Sequence, residues 1–225
     1  MDSSATQAGH DQHAGRDHSG QHHHQMPTEG RELTVVAASA TLHCLTGCAI
    51  GEILGVAIGT ALGFSNAGTI ALAIGLAFLF GYGLTSLPLL RAGFAIAAVI
   101  PIALASDTFS IAIMELVDNA ILLAIPGAME AGLSELMFWG SLAFALAIAG
   151  FVAWPVNRWL ISRGRGHAVV HETGVHGGPP VRVVAAIFAT AFVFGSAVLA
   201  AEAFSGGEDE DTGGDEHARV LAPPA

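Results

Sequence analysis

The 225-residue chain has no lysine, and charged residues make up only 12% of it, against about 25% in ordinary soluble domains. No basic patch is present and no nucleic-acid-binding signature, so nucleic acid is not an expected partner. Cysteine occurs twice, both times in one short segment, which excludes a disulfide framework. No glycine-rich nucleotide loop is present, which argues against ATP-driven pumping by this chain alone. The first 30 residues hold six histidines and no apolar stretch. A cleaved secretory signal needs an apolar centre behind a basic start, so none is expected there.

What the chain has instead is apolar residue, 52% of the total, gathered into blocks longer than the roughly 18 residues that a membrane span requires. Five spans are expected, near 33–62, 67–90, 92–125, 134–162 and 181–204, separated by "GFSNAG", "PLLRAG", "PGAMEAGLSE" and "RGRGHAVVHETGVHGGPP". Each break combines Gly or Pro with polar residues, as turns do. The third block is long enough to be tilted or bent near Pro101. The expected fold is an all-α, polytopic transmembrane helical bundle. It divides into a disordered His-rich tail (1–31), a helical domain (32–205) and a disordered acidic tail (206–225) too poor in apolar residues to fold.

Topology rests on eight arginines. Arg16 and Arg31 precede span 1, Arg91 lies between spans 2 and 3, and Arg158, Arg163, Arg165 and Arg182 lie between or beside spans 4 and 5. The alternate loops carry none, so the positive-inside rule predicts a cytoplasmic N-terminus and an external C-terminus in the cell membrane. Trp139 and Trp159, near opposite ends of span 4, suit interfacial anchors.

Span 1 contains "HCLTGCAIGE", residues 43–52. At about 100° per residue, Cys44, Cys48 and Glu52 fall on one helical stripe, with His43 displaced to its side. Gly47, Gly51, Gly55, Gly59 and Gly63 form a ladder beside it, and small residues at this spacing let a second helix approach closely. Span 3 contains "SDTFSIAIMELVDN", in which Asp107, Ser110, Met114 and Asp118 share a line flanked by Glu115 and Asn119. The spans hold four carboxylates, Glu52, Asp107, Glu115 and Asp118, and no basic residue in their interiors. Such groups must be protonated, solvated in a cavity or neutralised by a cation.

With two thiols and a thioether nearby, the set favours a soft metal, copper(I) first and zinc next. Candidate ligands are Cys44, Cys48, His43, Glu52, Met114, Glu115 and Asp118, at a site between spans 1 and 3. Asp107, Ser110 and Asn119 are expected to serve as intramembrane polar or proton-carrying groups. His10, His13, His18, His22, His23 and His24 form an accessory metal collector or a plain polar tail. His167, His171 and His176, in the cytoplasmic loop, read as solvated loop residues, with loose metal uptake like that of the tail as the alternative. Plain packing of the cysteines and a structural hydrogen-bond network of the acids are the competing readings. Pro155 is expected to kink span 4, and Asn157 to hydrogen-bond across helices.

Together, "HCLTGCAIGE", "SDTFSIAIMELVDNA" and "PVNRWLISRGRGH", in this order, resemble the prokaryotic membrane proteins grouped as domain-of-unknown-function family 4396, over about residues 38–168. The resemblance implies a multi-span membrane protein and no catalytic role. The expected function is binding or translocation of a soft transition-metal cation, with lipid and the metal as partners. The alternatives are a thiol oxidoreductase or metal-dependent membrane enzyme, and an assembly partner of a copy of itself or of another membrane protein. No catalytic residue is assigned.

Overall fold

A computed structural model describes residues 29–171, 173 and 180–205. Residues 1–28 and 206–225, and with them His10, His13, His18 and His22 to His24, lie outside the described residues, as does His176. Six helices are present among the described residues: α1 (Gly30–Leu62), α2 (Asn66–Arg91), α3 (Ile96–Ala124), α4 (Leu136–Ser162), the single turn α5 (Ala168–His171) and α6 (Val181–Ser205). All but α5 are long and apolar enough to cross a membrane. The chain is thus an all-helical, multi-pass membrane bundle.

The turns follow from local chemistry. Gly63, at φ 69°, ends α1 in the left-handed conformation, and the Phe64 N–H closes back on Gly59 O at 2.9 Å. Ser65 then caps α2, its Oγ accepting from the Gly68 N–H at 3.3 Å. Gly63 therefore belongs to the turn, and the packing ladder stops at Gly59. The helix of the third span begins at Ile96, four residues later than expected. Residues 92–95 are used by a reversal in which Gly93 takes φ 91° and the Phe94 N–H bonds Leu89 O at 3.1 Å. Both α3 and α4 run unbroken through Pro101 and Pro155.

Glycine decides how α1 meets α2. A methyl group added at Gly47 would stand 2.8 Å from Gly81 Cα, and one at Gly55 would stand 2.6 Å from Ala73 Cα. At Gly51 it would collide with the backbone of Ala77, and at Gly59 with the Thr69 side chain. The order of these pairs shows that the two helices run antiparallel, backbone against backbone, as close packing in lipid demands. A similar approach joins α4 to α6, where a Cβ on Gly195 would stand 2.7 Å from Gly140 O. Across the bundle, the Asn157 side-chain amide donates to Thr41 Oγ1 at 2.9 Å and ties α4 to α1.

The packing buries the ionisable groups of the spans within an apolar core and leaves large apolar side chains on the outer surface. Leu79, Ile96, Leu116, Leu123, Phe151 and Phe204 are exposed, which in a bilayer is contact with lipid. Glu52, Asp107, Glu115, Asp118 and Asn119 are buried. Arg31, Arg91, Arg163, Arg165 and Arg182 gather at one end of the bundle, with the starts of α1, α3 and α6 and the ends of α2 and α4. Glu130, Glu135 and Glu202 lie at the other. These are referred to below as the arginine end and the acidic end.

Candidate metal centre

The cysteine stripe of α1 faces α3. Cys44 and Cys48 are free thiols, wholly buried with Met114 in one core cluster that also holds Ile111 and Ala77. Cys44 Sγ lies 4.0 Å from Asp107 Oδ1. The same carboxylate oxygen is 3.1 Å from His167 Nδ1, so one acid joins a thiol on α1 to an imidazole beyond α4. One ligand atom each of Cys44, Asp107 and His167 can be chosen so that all lie within 4.8 Å of one another. Sulfur, nitrogen and oxygen donors thus converge on one point, and they can hold a metal ion. The second carboxylate oxygen of Asp107 is buried with no hydrogen-bond partner among the described residues. A buried carboxylate held this way is costly unless something positive completes it.

His167 comes from a segment that reads as solvated loop, and the structure explains the difference. After α4 the chain turns twice through left-handed glycines, Gly164 at φ 65° and Gly166 at φ 62°. The Arg165 N–H bonds Leu160 O at 2.9 Å, folding "RGRG" back over the end of α4. Ala168, the first residue of α5, is then wholly buried against Leu33, Ala37, Ala40 and Ile161. Between these two anchors the His167 side chain is drawn in to 12% exposure. The two glycines flanking an arginine signal a tight reversal in the sequence, but not the direction in which the next side chain points.

The remaining candidates fall into two groups. His43 stands beside the triad, with its ring centroid 5.1 Å from that of His167 and its Nε2 2.8 Å from Thr85 Oγ1 on α2, within hydrogen-bonding distance. Ser110, one turn beyond Asp107, is buried. Glu52, Glu115, Asp118 and Asn119 lie deeper along α1 and α3, toward the acidic end. The Asn119 side-chain amide donates to Glu115 O at 2.9 Å, and more weakly to Glu115 Oε2 at 3.4 Å and Glu52 Oε1 at 3.5 Å. Cys48, one turn beyond Cys44 and one turn before Glu52 on α1, lies between the two levels. Cys44 pairs with Asp107 and Glu52 with Asn119, so α1 and α3 run in the same sense. The sites expected as one are thus two levels of a single seam, about 12 Å apart by the rise of α1.

No curated protein and no solved structure matches the chain. The model of one family, described as a domain of unknown function (DUF4396), covers residues 35–166. That range includes Cys44, Asp107 and the whole α1–α3 seam, and it stops one residue short of His167. By a match over more than half its length, this five-span helical protein belongs to the DUF4396 family.

Proposed function

We propose that this protein binds a thiophilic transition-metal cation at Cys44, Asp107 and His167 and passes it along the α1–α3 seam. The observation that carries the reading is the convergence of three different donors, from three separate elements, in a protein interior where no lysine or arginine is buried among the described residues and His167 is the base that meets Asp107. Thiolate, imidazole and carboxylate together form the kind of set that zinc takes up, usually with a fourth ligand from water. Zinc is therefore placed first. Copper(I) is the second reading, because Cys44, Cys48 and Met114 share one buried cluster and sulfur donors select that ion.

The seam supplies the rest of a path. Beyond the triad come a thiol and a thioether, then carboxylates, without a basic residue among them. A cation is stabilised at each of these positions, and an anion at none. Passage is expected to be driven by a gradient or by a partner, since the chain has no nucleotide-binding loop.

Metal content of the detergent-purified protein, lacking residues 1–30 so that the tail histidines do not contribute, tests the reading by elemental mass spectrometry. About one equivalent of zinc or copper is expected, and it should vanish in Cys44→Ser, Asp107→Asn and His167→Ala. Absence of metal after reconstitution under reducing conditions would overturn it. Uptake of the bound ion by proteoliposomes then separates a transporter from a binding protein.

A further inference from the structure

Three carboxyl side chains remain that the triad does not use. Glu52 is 4% exposed, Glu115 3% and Asp118 0%. Glu115 and Asp118 lie one turn apart on α3, and the Asn119 side-chain amide reaches both Glu115 and Glu52 on the neighbouring α1. Both oxygens of Asp118 and Oε1 of Glu115 are buried without a hydrogen-bond partner among the described residues. Structural networks of buried acids satisfy their oxygens with donors. Here Asn119 is the one side-chain donor shown bonding to any of them, and it reaches only Glu52 and the other oxygen of Glu115. Asp118, next to Asn119 and one turn from Glu115 on the same helix, is wholly buried with no donor to either oxygen among the described residues.

A cavity of about 130 Å³ meets this cluster from the acidic end. Glu52 and Asn119 form part of its wall, and Thr60, Thr69, Glu130 and Ser141 add further oxygen. The volume admits several waters, and the wall has the polar partners that waters need. Around the cluster the ligand atoms are therefore mostly hard oxygens, with the Cys48 thiol one turn from Glu52 and the Met129 thioether on the cavity wall as the sulfur exceptions. Turning the Asn119 amide over by half a turn would present its Oδ1 and add a neutral oxygen to the three carboxylates.

We infer that Glu52, Glu115, Asp118 and Asn119 form a second cation station, an all-oxygen site that holds a partly hydrated divalent cation in contact with the cavity. Its chemistry is opposite to that of the triad. Carboxylates and water suit hard divalent ions and hold a borderline ion such as zinc weakly, whereas the triad's thiolate and imidazole hold it tightly. A cation moving from the triad to this station exchanges sulfur for oxygen and regains water before it leaves. As the wet end of that path the station rests on the metal reading above; as a binding site it stands on its own oxygens.

Manganese(II) is the probe, because it prefers oxygen donors and its electron paramagnetic resonance signal reports binding directly. The full-length protein in detergent is titrated with it alongside Cys44→Ser/His167→Ala and Glu115→Gln/Asp118→Asn. About one bound manganese is expected in the wild type and in the triad variant, with at least a tenfold loss of affinity in the carboxylate variant. Glu52→Gln provides a milder change, judged only if it keeps the wild-type elution profile and the zinc of the triad. Loss of manganese affinity in that variant supports the station. No manganese binding in the wild type, or unchanged affinity in these carboxylate variants, overturns it. A wild type without triad zinc that still loses manganese only in the carboxylate variants would refute the triad and keep the station.

Discussion

At the scale of single residues, Asp107 carries the strongest expectation. It accepts nothing from a basic side chain in its own span, yet touches both Cys44 and His167. Asp107→Asn keeps the volume and removes the charge that a cation requires. Zinc affinity is expected to fall by at least roughly 10- to 100-fold, the loss seen when even an outer partner of a metal ligand is removed. Competition with a zinc-binding dye reads this directly. Thr85→Val is the contrast. It deletes the 2.8 Å contact with His43, which orients a ring beside the triad without joining it. The expected cost is about 1 kcal/mol of stability, with zinc affinity kept within a few-fold. Equal losses of affinity in the two variants would make His43 a ligand and displace one of the three donors.

At the scale of elements, the α1–α2 contact should be the most sensitive part of the bundle. Gly51→Val drives branched atoms into the Ala77 backbone, which cannot retreat without moving the whole of α2. Overpacking of this kind costs about 1–3 kcal/mol. Asn157→Ala removes one interhelical hydrogen bond, and such bonds average about 0.6 kcal/mol in membrane bundles. Thermal unfolding in one detergent should therefore rank Gly51→Val as the more damaging change. A reversed order would show that the polar tie, not the glycine contact, holds α1 in place. The "RGRG" reversal belongs to this scale too. Gly166 takes φ 62°, so Gly166→Ala strains the turn and displaces His167. Zinc affinity should fall while the unfolding temperature changes little. An unchanged affinity would mean that burial of Ala168 alone places the histidine.

At the scale of the whole molecule, charge is divided between the two ends, and this division sets the expected orientation. With every described arginine at one end, alongside Glu29 and Glu32, and Glu130, Glu135 and Glu202 at the other, the positive-inside rule puts the arginine end, the N-terminus and the triad toward the cytoplasm. The cavity and the carboxylates then face outward. Fusions of a periplasm-active phosphatase and a cytoplasm-active fluorescent protein to each terminus measure this. Phosphatase activity is expected at the C-terminus and fluorescence at the N-terminus, and the opposite pattern would invert the direction of the path. The helix α6 contributes little to the seam. Its buried residues are Val184, Gly195 and Val198, and it rests mainly on α4, with Phe188 reaching the core cluster of Cys44 and Leu45.

Much of this was legible in one dimension. Long apolar blocks leave a backbone in lipid no alternative to the helix, because every peptide group must be satisfied within its own segment. Five spans and the turns between them follow from that constraint and from Gly, Pro and Ser at the breaks. The four-residue glycine spacing marks a close-packed face, since 3.6 residues per turn keeps i and i+4 on one side. The intramembrane acids, with no lysine or arginine among them, single out the α1–α3 seam as a candidate cation site, because uncompensated charge does not persist in a bilayer. The tertiary structure decided the pairing. Helical periodicity aligns Cys44, Cys48 and Glu52 but says nothing of the rotation of α3, which sets Asp107 against Cys44 and Asn119 against Glu52. Nor does any local rule bring His167 inward, for it arrives 123 positions after Cys44 by way of two left-handed glycines and a buried alanine. Local preferences act over a few residues, whereas a metal site is a meeting of side chains from distant parts of the chain, and only packing brings them together.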